Sequence, residues 1–131
     1  MRLWPLSILS QLPRQQLLGQ HRECCALRGK GWGRKHATVD YVFRHSYYYL
    51  CRYHVEVMKE MQRRGYRVAE NWWCTLYRGK SIGYDYTIDA IMCPVCAFSI
   101  YPEHNAEYLQ ECIENLAQKG ITIKIPKECA A

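Results

Sequence analysis

The sequence predicts an all-α fold: one compact domain of about three main helices, with little or no sheet. Three observations carry this. Residues 47–64 repeat apolar side chains at helical spacing and stop at Gly65; residues 105–119 do the same and stop at Gly120. The stretch PRQQLLGQHRECCAL places Leu17, Leu18, His21, Cys24 and Cys25 on one helical stripe. A chain of 131 residues is long enough to bury a core without metal or disulfide staples and suggests a single domain over 1–131.

The elements follow in order. Residues 1–12 are apolar, and Pro5 interrupts them. Pro13 suits the first turn of a helix. In that helix the stripe faces the core, while Gln16, Gly19, Gln20 and Glu23 line a different face. Gly19 lies one turn before Glu23 and leaves an open notch beside the carboxylate. RGKGWGRKH, residues 28–36, is a loop, or a loop opening a further helix. The second helix spans about Tyr47–Arg64, with Leu50, Val57, Met58 and Met61 on its core face. Residues 66–100 are aromatic and show no long period. The third helix spans about Asn105–Lys119.

Charge is one-sided. Residues 1–45 hold eight Lys/Arg against two acids, Glu23 and Asp40, whereas residues 46–131 hold ten of each sign. The whole net charge of +6 therefore sits in the first third. Such a field suits a polyanion, most simply nucleic acid. No run approaches the roughly 20 apolar residues of a membrane span. No signal-peptide pattern is present, so the chain is read as mature and cytoplasmic, with its eight cysteines reduced.

Glu23 is the anomaly. An acid at a polyanion-binding face weakens binding, so it needs another reason to be there. Stabilising a positive charge that develops during reaction is one such reason; simple solvation is the other reading. Within so positive a field the carboxyl is expected to stay ionised with a lowered pKa. Cys93-Pro-Val-Cys96 is half a zinc site, with His104 and Cys74 as conceivable partners, or a redox pair, or structural or incidental thiols. Cys24 and Cys25 read as core. Trp72 and Trp73, with Tyr77, Arg78 and Lys80, offer either a stacking surface or core filling.

From Arg22-Glu23 outward the chain resembles the pyrimidine-dimer DNA glycosylases, the phage endonuclease V family. Leu6, Ser10, Leu12, Gln15, Leu17, Arg22 and Glu23 coincide with the phage enzyme without a gap, and Arg34-Lys35-His36 recurs in its loop. The resemblance is specific over 1–36 and loose over 37–120. It implies a DNA repair enzyme, a glycosylase with abasic-site (AP) lyase activity on ultraviolet-induced dimers in double-stranded DNA. It implies a compact helical domain and a Schiff base formed by the N-terminal α-amine. Arg2 is too large for the initiator methionine to be trimmed, so Met1 is expected to remain. Met1 then takes the nucleophile's place, and the extra residue is absorbed near Trp4-Pro5. Glu23 would stabilise the cationic sugar intermediate and help move protons. Arg2, Gln15, Arg22, Arg28, Lys30, Arg34, Lys35 and His36 would contact DNA. No metal, organic cofactor or protein partner is implied, and activity is expected to survive EDTA. Two departures stand out: Arg2 itself, and Glu107, Glu111 and Glu114 on the third helix, where the phage enzyme presents basic groups. The competing readings are a non-catalytic nucleic-acid-binding protein on the same scaffold and a zinc-stabilised interaction module.

Overall fold

The computed structural model describes residues 2–87 and 100–125. Met1, Cys93 and Cys96 lie outside these residues, and with them the expected nucleophile and the CxxC pair. Three α-helices form the domain: α1 (Arg14–Arg28), α2 (Tyr47–Arg63) and α3 (Ala106–Gln118). Short 3-10 helices cover Leu6–Gln11, Asp40–Arg44 and Glu70–Trp73. Among the described residues there is no strand, and an isolated antiparallel bridge joins Tyr77 and Tyr84. The fold is all-α, as the sequence predicts.

Local chemistry sets the helix ends. The Ser46 hydroxyl accepts from the Tyr48 N–H at 3.1 Å, and Asn105 Oδ1 from the Tyr108 N–H at 2.9 Å, each satisfying a donor that the first helical turn leaves open. After α2 and α3 the chain turns through Gly65 (φ +84°) and Gly120 (φ +82°), a left-handed conformation that side chains with a Cβ resist.

The core lies between α1, α2, α3 and the N-terminal segment. From α2 it takes Leu50, Val57 and Met61, and Met58 is fully buried beside it. Leu17, Cys24 and Leu27 enter from α1, and Leu109, Cys112 and Leu116 from α3. Leu3, Trp4, Ile8, Leu9 and Leu12 make the N-terminal segment part of this core. Polar contacts pin that segment. The Tyr108 hydroxyl donates to Leu3 O at 2.8 Å, the Tyr53 hydroxyl to Trp4 O at 2.6 Å, and Arg64 Nη2 to Leu9 O and Ser10 O at 3.1 Å each.

Two expectations for α1 need correction. Gln20, assigned to a face other than the core stripe, is 1% exposed, and Leu18, His21 and Cys25, assigned to the core stripe, are half-buried. The N-terminal segment crosses this helix on the side of Gln20, so the buried arc is rotated from the apolar stripe. The arc is held by hydrogen bonds as well as by apolar contact.

Candidate active site at Glu23

A pocket of about 300 Å³ opens between the N-terminal segment, α1 and α3. Arg2 and Trp4 line it from the segment, Gln16, Gly19, Gln20 and Glu23 from α1, Thr38 from the following loop, and Asn115 and Lys119 from the end of α3. The spacing explains the α1 wall. Gln16, Gly19, Gln20 and Glu23 recur at three- and four-residue steps and so share one side. A methyl group at Gly19 would touch only Arg22 Nη2, at 3.7 Å, so glycine keeps this wall low.

Gln20 organises the site. Its Oε1 accepts from the Trp4 N–H at 2.7 Å, and its Nε2 donates to Arg2 O at 3.0 Å and to Glu23 Oε2 at 3.2 Å. The Tyr53 hydroxyl, whose one proton goes to Trp4 O, lies 2.8 Å from the same Oε1. One amide thus holds residues 2 and 4 against the helix that carries Glu23. The Arg2 N–H reaches Glu23 Oε2 at 3.4 Å. The carboxylate therefore faces the backbone of the second residue of the chain.

Glu23 departs from the sequence expectation in the direction of its pKa shift. Burial pushes its pKa above the ordinary carboxylate value, although the hydrogen bond from the Arg2 N–H and the nearby His36 and Lys119 pull it down. Counting neighbouring charges gave the wrong sign because desolvation outweighs them.

The other expected site residues divide into four groups. Arg22, Gln15, Lys30, Arg34 and Lys35 are exposed, and the Arg34 Nε–H donates to Lys30 O at 2.7 Å. Arg2 lines the pocket, but its guanidinium is paired with Glu111 at 3.1 Å and lies over the Trp4 and Tyr108 rings. His36 is half-buried with Nδ1 enclosed and without a hydrogen-bond partner, while its backbone N–H donates to Asp40 Oδ1 at 2.6 Å.

Arg28 is not a phosphate contact. It is 0% exposed, and all five of its N–H groups are used inside the protein. Nε donates to the Tyr47 hydroxyl at 3.2 Å, Nη1 to His54 Nδ1 and Trp72 O at 2.9 Å, and Nη2 to Cys74 O at 2.8 Å and Tyr77 O at 3.0 Å. It lies over the Trp72 ring, 5.0 Å from the centroid. The guanidinium gathers the carbonyls of a segment that has no sheet to satisfy them. Trp72, a conceivable stacking surface from sequence, is half-buried against Arg28 and Tyr77. Of the partners suggested for the CxxC pair, His104 meets the Tyr41 hydroxyl through Nε2 at 2.6 Å, and Cys74 is a free, half-buried thiol.

Tyr53, Thr38, Asn115 and Lys119 complete the site and were not singled out in the sequence. The available signal was the pair Asn115–Lys119, one turn apart at the basic end of an otherwise acidic helix.

An all-helical domain with a basic N-terminal third and one half-buried carboxyl in a polar pocket fits an enzyme that works on a polyanion. A family model for pyrimidine dimer DNA glycosylases matches residues 1–73, and the chain belongs to that family. The match covers α1, α2 and Glu23, and family membership makes the protein a DNA repair enzyme with DNA as its substrate. Comparisons with curated proteins and with solved structures gave no match. Among the described residues no helix is long and apolar enough to cross a membrane.

Proposed function

We propose that the Glu23 pocket both excises the damaged base and cleaves the strand at the resulting abasic site, using the α-amine of Met1. The observation that carries this reading is the 3.4 Å contact between Glu23 Oε2 and the Arg2 N–H. The α-amine of the preceding residue is separated from that nitrogen by only two backbone atoms, a reach of about 3.5 Å at most. An α-amine has a pKa near ~8, so a useful fraction is neutral at pH 7, whereas an ordinary lysine is almost wholly charged.

The amine attacks C1′, the base leaves, and the sugar is held as an iminium. Glu23 has two tasks in this sequence. Ionised, it stabilises the cationic sugar across a partly dehydrated pocket. With its pKa raised above the ordinary carboxylate value by burial, it can also exchange the protons that the steps require. Removal of the C2′ proton then expels the 3′ phosphate by β-elimination. Arg22, Lys30, Arg34 and Lys35 are exposed and would meet backbone phosphates, as would Gln15 by hydrogen bonding. Arg2 can join them only by sharing itself with Glu111.

Borohydride trapping on a duplex with one abasic site, followed by peptide mass spectrometry, tests the assignment. An adduct on residue 1 is expected. Glu23→Gln should keep or improve DNA binding and abolish cleavage. An adduct on Lys119, the other amine of the pocket, would move the nucleophile to α3. DNA binding with no adduct would make the scaffold a nucleic-acid-binding protein without this chemistry.

A further inference from the structure

On the opposite side of α1 from Glu23 lies a cluster that the excision chemistry does not use. His21 and Cys25 stand one turn apart on α1, and His54 faces them from α2. His21 Nδ1 and His54 Nε2 are 2.8 Å apart, and Cys25 Sγ is 3.9 Å from each. Among the described residues this is the one group of three or more His, Cys, Asp or Glu side chains whose donor atoms converge, all within 4.8 Å.

We propose that His21, Cys25 and His54 bind a single zinc-class ion that clamps α1 to α2. A triangle with sides of 2.8, 3.9 and 3.9 Å has a centre ~2.1 Å from every corner, the length of a zinc–nitrogen bond and slightly short of a zinc–sulfur bond. An ion lifted a little out of that plane meets all three donors and keeps one position open. Two imidazoles and a thiolate suit zinc, and copper as its competitor. The half-buried His21 and Cys25 give the ion a way in.

Arg28 sets the proton inventory. Its Nη1 can only donate, so His54 Nδ1 accepts, and His54 carries its proton on Nε2 and gives it to His21 Nδ1. Entry of the ion releases two protons, one from Cys25 Sγ and one from His54 Nε2. The His54 ring is left as an imidazolate, held by a guanidinium that makes no ion pair with a carboxylate among the described residues. The two anionic donors together balance the charge of the ion, so its entry leaves the net charge beside Arg28 unchanged.

The clamp would stiffen the active-site frame, because Tyr53, beside His54, supports Gln20 and Trp4. The proposal is independent of the excision reaction, and its test needs no DNA. Chelator-stripped protein, kept reduced with a phosphine, is titrated with Co²⁺ and then with Zn²⁺. One Co²⁺ per chain is expected, with a near-ultraviolet thiolate-to-cobalt charge-transfer band that Zn²⁺ abolishes. In Cys25→Ser the band should vanish and Co²⁺ affinity fall at least ~10-fold. In the unmutated protein, Zn²⁺ should shield Cys25 from alkylation, mapped by peptide mass spectrometry, which needs no variant to fold. Apparent affinity should rise with pH more steeply than release of one proton allows. Folded protein without a thiolate band overturns the proposal. So does a band that survives Cys25→Ser, or zinc protection that falls on Cys74, Cys93 or Cys96 while Cys25 stays reactive.

Discussion

Replacing Gln20 by leucine separates the fold from the site. The side chain is buried and serves four groups. In Gln20→Leu the Trp4 N–H, on a residue only 5% exposed, loses its acceptor, which costs about 1–3 kcal/mol. The Tyr53 hydroxyl keeps Trp4 O as its acceptor and loses little. Arg2 O and Glu23 stand at the pocket wall, where water can replace the amide at about 0–1 kcal/mol each. The total is about 1–5 kcal/mol, and for a chain of this length the middle of that range lowers Tm by about 10 °C. Function should fall further than stability. Residues 2 and 4 are no longer held against α1, and a displacement of about 1 Å at the reacting groups is worth about 10²-fold in rate. The assay is borohydride trapping at a temperature where circular dichroism shows the variant folded, beside urea unfolding. Tyr53→Phe should lose about 1–2 kcal/mol. The double variant should lose less than the sum, because both side chains support Trp4. Two results would refute the reasoning: stability within about 0.5 kcal/mol of the parent, or a folded variant that traps abasic DNA at the parent rate.

Four further outcomes are expected. Arg28→Lys cannot reproduce a five-donor fork and should destabilise by about 3–5 kcal/mol; Lys35→Ala should leave Tm unchanged and lower the salt slope of DNA binding by about one. Because burial raises the Glu23 pKa, the folded state holds that proton longer than the unfolded state does. Stability should therefore decline as pH rises from the ordinary carboxylate value through the raised one, and Glu23→Gln should flatten that part of a Tm–pH profile; an unchanged profile would show that Glu23 titrates normally. Gly19→Ala should stabilise α1 by about 0.5–1 kcal/mol while reducing excision, since the methyl stands at the pocket wall; a melt and a glycosylase assay on the same preparation check both signs.

The legible parts of this sequence were those where one helix speaks for itself. α2 and α3 could be read from Leu50, Val57, Met58 and Met61, from apolar spacing and from the glycines that stop them, because those signals lie within a few residues of the structure they specify. The polar wall of α1 was legible for the same reason. What local pattern could not reveal was set by partners far along the chain. The acceptors of Arg28 on the polypeptide backbone are carbonyls 44 to 49 residues away, so from sequence it looked like another member of a basic loop. The role of Gln20 was hidden because its partners, Arg2, Trp4 and Tyr53, arrive only through tertiary folding. Glu23 was found by its isolation among basic residues, yet its pKa was misjudged, since charge can be counted along a sequence and burial cannot. His21 and Cys25 are a turn apart in plain view, but their third partner comes from α2.

The hydrogen bond from the Tyr108 hydroxyl to Leu3 O spans 105 residues. During synthesis the N-terminal segment leaves the ribosome first, but its last support emerges with α3, as do Asn115 and Lys119. A nascent chain that has completed α1 and α2 holds Glu23 and Gln20 beside a segment still loose on one flank. The Glu23 pocket is thereby complete only once α3 has packed, although Glu23 and Gln20 both lie on α1.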